Sequence, residues 1–193
     1  MQDTRRAATG RVRNEQARQD ILDAALALAA ADLDGLTVDA IAARAGVGKQ
    51  TIYRWWPSKW AVVLDALVER AATDVSPGTG TPERRLATFL ATSFASLETS
   101  TGPVLRALMA RAQFDAEFAE VFRGRLVEPR RAVLRELLAE GSGRRGADLD
   151  ALVDMLFGAM WYRLLVGHGA LDRAFARRLA RLAVASSPPE PMG

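Results

Sequence analysis

Cysteine, histidine and long apolar runs are scarce in this sequence of 193 residues, and each scarcity excludes a class of protein. There is no cysteine and a single histidine, His168, so a multi-histidine or thiolate zinc site, a cysteine nucleophile and an iron–sulfur cluster are excluded. We therefore expect neither a metal nor a cofactor. The longest apolar runs, 24–31 and 155–162, fall far short of the roughly 20 residues that a transmembrane helix needs. Residues 1–18 lack the apolar segment of a secretory signal, which favours a cytoplasmic location.

The composition is that of an ordinary globular protein, with 49% hydrophobic and 25% charged residues. Apolar residues recur at helical spacing almost throughout, and no stretch alternates as a strand does, so we predict an all-α fold. The net charge is only +3, but the positive charges concentrate in residues 1–18 and 37–59, with an acidic stretch between them. This distribution indicates a localised anion-binding surface, although solvated helix faces would explain the charges equally well.

Turn and capping residues divide the chain into helices. We predict a helix over about 14–31, and a second that begins at the N-cap Thr37 and ends at Gly46. A third, over 48–55, is stopped by Pro57, and Ser58 caps a fourth. The glycine- and proline-rich stretch 74–82 is the clearest break in the chain. Beyond it we predict helices at about 82–98, 103–113, 115–124, 129–140, 149–166 and 172–185, with a flexible loop at 141–146.

The helix over 149–166 is apolar on more than one face, so we expect it to be buried on two sides. One face can pack on its own domain, and the other needs a partner, most simply the same helix of a second subunit. The predicted dimer interface combines four residues of this helix with two of the last one: Leu152, Leu156, Met160, Leu164, Phe175 and Leu179.

Residues 37–59 contain the most specific pattern in the sequence. Two short helices joined by a tight turn at Gly46 are typical of a helix-turn-helix, in which the second helix enters the major groove of DNA. With the apolar residues turned inward, the side chains left facing outward on the second helix are Lys49, Gln50, Thr51, Tyr53 and Arg54. Hydrogen-bond donors and methyl groups of this kind contact base edges and phosphates.

The run LTVDAIA (36–42), followed by AGVGKQTIYRWWPSK (45–59), resembles the DNA-binding domain of TetR-type transcriptional regulators, and the resemblance extends over roughly 14–70. The remaining chain is similar in size and helix number to the ligand-binding and dimerisation domain of that family. In particular, LFGAMWYRLLV (156–166) looks like its penultimate, dimer-forming helix.

The resemblance implies roles for individual residues. Thr37 and Tyr53 match hydroxyls that contact phosphates, Lys59 matches a lysine that clamps the DNA backbone, and Lys49, Gln50 and Thr51 match the start of the base-reading helix. Two positions depart from the family pattern. Trp55-Trp56 replaces the common His-Phe, so Trp55 either donates its indole N–H to a phosphate or only packs. Gly48 stands where serine is a common N-cap.

The resemblance also implies a small-molecule effector bound inside the second domain. Eight residues are candidates for its pocket, although such side chains at helical spacing are more often core: Phe89, Phe94, Met109, Gln113, Phe118, Phe122, Met155 and Tyr162. Because this set contains few polar groups and no buried charge, the sequence favours a mostly apolar effector.

The resulting hypothesis is a homodimeric, ligand-responsive repressor of a palindromic DNA operator and not an enzyme. Each subunit would offer Lys49, Gln50, Thr51 and Arg54 to bases, and Thr37, Tyr53 and Lys59 to phosphates. We predict a basic, disordered arm at 1–13, a helix-turn-helix domain at 14–72, a ligand-binding and dimerisation domain at 81–185, and a tail at 186–193. The arm either reaches the minor groove or has no specific contact. Two alternatives stay open: an enzyme or ligand carrier with an anionic substrate, and a helix-turn-helix protein that assembles with other proteins.

Overall fold

The computed structural model describes residues 3–33, 35–74 and 77–185, and this part of the chain is helical and contains no strand. The all-α prediction is confirmed. The chain divides into two compact units, Met1–Glu69 and Arg70–Gly193, which are described separately. No described helix combines the length and the apolar character needed to cross a bilayer. The predicted tail, 186–193, lies outside the described residues.

The first unit contains three helices and the greater part of a fourth: α1 (Asp3–Ala31), α2 (Val38–Ala45), α3 (Lys49–Tyr53) and α4 (Lys59–Asp74). Each of the four contributes apolar side chains to one core. Its most buried members are Ile21, Leu22 and Ala25 of α1, Ile41 of α2, Ile52 of α3, and Val62, Val63, Leu64 and Leu67 of α4. The short helices α2 and α3 therefore owe their stability to packing and not to their own length.

Helix α1 begins at Asp3, so the sequence prediction of a helix from about residue 14 with a disordered arm before it places the start too late. Residues 3–13 contain four arginines and two alanines, which are strong helix formers, against the weaker formers Thr4, Thr9 and Val12 and one glycine, Gly10. Helix already nucleated over the packed part of α1 extends at little cost into such a sequence.

The second unit contains six α-helices within the described residues: α5 (Pro82–Leu97), α6 (Thr101–Phe114), α7 (Ala116–Phe122), α8 (Glu128–Ser142), α9 (Gly146–Val166) and α10 (Arg173–Ala185). A single π-helical turn, Arg123–Val127, joins α7 to α8. The predicted helices agree to within a few residues, but the predicted loop 141–146 is shorter. Helix α8 continues to Ser142, which is buried and donates a hydrogen bond to the Leu138 carbonyl at 2.8 Å.

The residues predicted for the dimer interface lie largely inside the second unit. Leu152, Leu156, Met160 and Leu164 are all buried in α9. In α10, Leu179 is half-buried, and Phe175 stacks on Phe94 with 5.8 Å between ring centroids. A helix that is apolar on two faces has two equally good candidates for its inward face, and sequence periodicity does not distinguish them. In the structure, the α9 side chains predicted for the interface are the ones that pack inside the second unit.

The residues predicted for a ligand pocket do not meet in one place. Phe89 and Phe94 are buried on α5, and Phe118 and Phe122 are buried on α7, where their ring centroids are 6.3 Å apart. Met109 is half-buried. The other three, Gln113, Met155 and Tyr162, are exposed, the last two at 68% and 60%. The eight residues are of similar chemical type but do not share a face, because positions along a helix point in different directions.

Candidate nucleic-acid interface

The turn between α2 and α3 is fixed at both ends by local hydrogen bonds. At the start of α2, the hydroxyl of Thr37 accepts a hydrogen bond from the Ala40 N–H at 3.1 Å, as an N-cap does. At its end, Gly46 adopts a left-handed conformation with φ of 66°, and the Val47 N–H then donates to the Ala42 carbonyl at 3.0 Å. Glycine is the residue that reaches this conformation without strain, so the sequence itself sets the angle of the turn.

Helix α3 has one buried side and one open side. Ile52 is completely buried and anchors the helix to the core of the first unit. Lys49, Gln50 and Tyr53 are exposed, with Tyr53 at 55%, and Thr51 is half-buried. The open side therefore consists of polar side chains whose donors and acceptors are available to a partner.

Lys49 already has a partner, because its ammonium group forms an ion pair with Asp39 in the first turn of α2. Both side chains are more than half exposed, so water screens the attraction and the pair contributes little to stability. This contact was not predicted from the sequence. Only the Gly46 turn brings together two residues on different helices, so no local pattern indicates it.

Arg54, the C-cap of α3, is directed back along the first unit. Its Nη2 donates to the Asn14 side-chain oxygen at 3.5 Å, and its guanidinium carbon lies 5.0 Å from the centroid of the Trp55 ring. Trp55 is half-buried and meets Trp56 edge to face, with 5.5 Å between centroids. Arg54 is exposed, but these contacts orient it towards α1 and not along the open side of α3.

Lys59 is the first residue of α4 and lies next to the start of α2. Its Nζ donates to the carbonyl oxygen of Leu36 at 2.6 Å and lies 4.9 Å from the centroid of the Trp60 ring. Leu36 directly precedes Thr37, so the ammonium group lies next to the N-cap of α2. A lysine in the first turn of a helix is unfavourable for that helix, and the Leu36 carbonyl supplies a compensating partial negative charge. The ammonium group has three donors, so two remain for another ligand.

The start of α4 is held by a buried polar contact. The indole N–H of Trp56 donates to Oδ2 of Asp65 at 2.8 Å, and both residues are buried. Ser58 caps the helix by accepting a hydrogen bond from the Ala61 N–H at 3.3 Å. Trp56 is therefore a core residue, as expected for a large aromatic beside proline.

Two short helices joined by a fixed turn, with a polar open side on the second helix and a cation beside the N-cap of the first, define the first unit as a helix-turn-helix DNA-binding module. No three histidine, aspartate or glutamate side chains come together in the described parts of the chain as a metal ion would require. The chemistry this surface offers is hydrogen bonding and charge pairing with a polyanion.

Comparison with known proteins identifies the family. Residues 21–73 match the family model described as bacterial regulatory proteins, tetR family, and residues 76–183 match that of the tetracyclin repressor-like C-terminal domain. The chain is 36% identical over 177 residues to YdeS of Bacillus subtilis, described as an uncharacterized HTH-type transcriptional regulator, with 88% of this chain and 89% of YdeS covered. The chain belongs to the TetR family and is a DNA-binding transcriptional regulator.

Solved structures agree with this assignment. The TetR family transcription regulator SCO0332 superposes with a TM-score of 0.75 at 32% identity, covering 90% of this chain and all of that one. FadR of Bacillus subtilis, solved in complex with stearoyl-CoA, has a TM-score of 0.64 at 20% identity, with 89% and 99% of the two chains covered. At that identity FadR shows a shared fold only.

Proposed function

We propose that this regulator is a cytoplasmic homodimer that binds a palindromic operator as a repressor and is released from it by a small molecule. The observation that carries the DNA-binding part is the open polar side of α3, anchored by the buried Ile52 and aimed by the left-handed Gly46. A helix held this rigidly and projecting donors can enter a major groove without first having to become ordered.

The contacts of each side chain suggest which residues bind base edges and which bind phosphates. Gln50 and Thr51 are placed for base edges, and Lys49 joins them once it leaves Asp39. Tyr53 is exposed on α3, Thr37 caps α2 and Lys59 lies next to that cap, and their hydroxyl and ammonium groups are suited to phosphates. Arg54 and Trp55 contact each other, and we assign both to the backbone rather than to the bases, because Arg54 is directed towards Asn14.

The exposed side of α9 is our candidate for the dimer interface and replaces the face predicted from the sequence. Ala151, Met155, Gly158, Tyr162 and Leu165 are exposed along one stripe, at alternating intervals of four and three residues. Such a repeat forms the seam between paired helices, and no side chain lies within 4 Å of the space above Gly158, which allows close approach. A two-fold pair of this stripe would present two copies of α3 to two half-sites.

A small-molecule effector is supported by the match of residues 76–183 to the tetracyclin repressor-like C-terminal domain, and the similar fold of FadR was solved with a bound acyl-CoA. Binding in the second unit would weaken DNA binding if the ligand-bound conformation holds the two copies of α3 at the wrong spacing. The ligand must therefore prefer that conformation over the one that fits the operator.

Selection of genomic fragments by the purified protein at fixed, moderate salt tests this proposal, with Tyr53→Ala as the matched variant. We expect an inverted repeat that the wild-type protein recovers and the variant loses. Recovery of nothing, or of unrelated DNA held equally by both proteins, would contradict the operator proposal and return the enzyme and assembly alternatives. Sedimentation of Tyr162→Glu as a monomer, with the wild type a dimer, tests the α9 interface separately.

A further inference from the structure

Helix α8 carries three arginines in two different environments. Arg131 forms an ion pair with Asp154, and Arg135 donates to Asp150 through its Nε at 2.7 Å, so both lie against acidic residues of α9. The hydrogen bond from Arg135 holds the pKa of Asp150 below its ordinary value. Arg130, one residue before the first of these pairs, has no carboxylate within ion-pairing distance among the described residues.

The contact that Arg130 does make is with a neutral group. Its Nη2 donates to the hydroxyl of Ser93 at 3.2 Å, and Ser93 is buried on α5. The other side chains around this contact are apolar or aromatic: Phe89, Leu90, Leu134, Leu156, Phe157 and Met160. Burial lowers the pKa of the Arg130 guanidinium, which is the direction expected for a cation partly removed from water without a counter-charge.

Arg130 is half-buried, so its guanidinium keeps part of its hydration, but the rest of it lies against apolar side chains at a cost in free energy. Transfer of a charge from water into apolar surroundings is unfavourable unless it is paired and hydrogen-bonded, and an apolar side chain at the same position would usually be at least as stable. Arg130 has five N–H donors, of which Ser93 accepts one. The remaining donors suit the two oxygens of a carboxylate or phosphate, which arginine binds in a fork-like geometry.

These same residues enclose a small cavity between α5, α8 and α9, of about 10 Å³. That is room for roughly one water molecule, so a larger ligand has to move these helices apart. The π-helical turn Arg123–Val127 lies directly before α8, and such turns interrupt regular helix packing and are common at functional sites. A ligand that enters here therefore changes the packing of the second unit, as an effector must.

We propose that the effector is an apolar molecule with a single anionic head group, and that Arg130, assisted by Ser93, binds that head group in the wall of this cavity. The apolar body lies against Phe89, Leu156 and Phe157. This inference rests on the proposed function and changes the sequence-based preference for a mostly apolar effector, because that preference assumed no buried charge.

The test compares decanoate, decyl phosphate and decanol, each below its micellar concentration, on the full-length protein. Binding is measured by titration calorimetry and by the shift in the unfolding midpoint. We expect at least one of the two anions to bind at least tenfold more tightly than decanol. The two anionic arms show whether the site takes a carboxylate or a phosphate. Equal affinity for all three compounds, or no binding of either anion, would overturn the proposal.

Variants at position 130 test whether Arg130 is the residue that gives the preference for the anion. Arg130→Met, which keeps an unbranched apolar side chain but removes the guanidinium, should abolish the preference for the anion while retaining the binding of decanol, and Arg130→Lys should restore the preference in part. Arg135→Met removes a cation of the same helix that has an acidic partner, and it should retain the full preference. A preference that survives in Arg130→Met would assign the head group to another residue and sink the proposal.

Operator binding without ligand separates this inference from the proposed function. Arg130→Met should bind operator DNA as the wild type does, because the residue lies in the second unit and outside the helix-turn-helix. Absence of specific operator binding by the wild-type protein would contradict the proposed function. Intact DNA binding together with no anion preference would contradict only the ligand assignment.

Discussion

The two units differ in the partners they give to cations and carboxylates that lie against their apolar interiors. In the first unit, the buried Asp65 accepts the indole hydrogen of Trp56, and the part-buried Lys59 donates to the Leu36 carbonyl. In the second, Arg130 is left with a serine hydroxyl and apolar neighbours. A unit whose polar groups are paired internally has one preferred arrangement, whereas an unpaired cation leaves an interaction for a ligand to complete. Under the proposed function, this difference suits the first unit to holding a surface rigid and the second to binding an effector.

Loss of the buried Trp56 indole should have the largest effect on stability. It tests whether internally paired polar groups hold the first unit together. Trp56→Ala removes a buried aromatic side chain and its hydrogen bond to Asp65, so we expect a loss of about 3–5 kcal/mol in the free energy of unfolding of the first unit. Chemical denaturation followed by circular dichroism measures it. Trp55→Ala, which changes the adjacent half-buried ring, should cost less than half as much. Equal losses would mean that the Trp56–Asp65 contact does not anchor the unit.

The turn glycine gives a second, smaller effect. Gly46 has a φ of 66° and no atom within 4 Å of where a Cβ would lie, so Gly46→Ala meets conformational strain and no steric clash. We expect a loss of about 1–2 kcal/mol in stability. Gly143→Ala, at the left-handed end of α8 and equally open, should cost the same in the second unit.

Gly124→Ala is the matched control for both glycine variants, because its surroundings are also open and its φ is not positive. It should be neutral or slightly stabilising, since alanine restricts the unfolded chain. If all three variants were equally destabilised in urea denaturation, backbone conformation would not be the reason for glycine at the turn.

The sequence separation of the interacting residues explains which parts of the structure could be predicted from the sequence. Thr37, Gly46 and Ser58 act on backbone groups a few residues away, so their types alone placed the helix-turn-helix, and the structure confirms those positions. The inward face of α9 and the position of Arg130 depend on which helices pack together across many residues. No local pattern contains that information, and both were missed.

The same limit applies inside the candidate interface. The sequence predicted which side chains of α3 face outward, and Lys49, Gln50, Tyr53 and Arg54 are exposed, with Thr51 half-buried. It did not predict that Asp39 pairs with Lys49, because that contact spans the turn. The DNA contacts of all these residues stay predictions.

The N-cap of α2 offers a smaller test that combines stability and binding. Thr37→Val keeps the shape of the side chain but removes the oxygen that accepts from Ala40, so we expect a loss of about 1 kcal/mol in stability. If the hydroxyl also contacts a phosphate, operator affinity should fall by more than this loss explains. Thr37→Ser keeps the hydroxyl and should retain both properties. Equal DNA affinity for Thr37→Val and wild type, measured by fluorescence anisotropy, would limit Thr37 to capping.

The smallest effect on stability comes from the exposed pair between Asp39 and Lys49. Asp39→Asn removes a screened ion pair, so the stability should change by less than about 1 kcal/mol. Operator affinity should rise by about two- to fivefold at low salt, because Lys49 no longer has to leave a counter-charge and a negative charge near the phosphates is gone. The gain should shrink as salt screens both interactions.

Asp23→Asn is the control for that prediction, because Asp23 is exposed on α1 and accepts a hydrogen bond from Gln19 of the same helix. It changes the net charge by the same amount and should leave affinity nearly unchanged. An equal gain from both variants would show that Asp39 acts through overall charge alone. A gain in operator affinity confined to Asp39→Asn would show that Lys49 is paired with Asp39 in the free protein and changes partner on binding DNA. Even the rigid first unit would then exchange one contact when it binds.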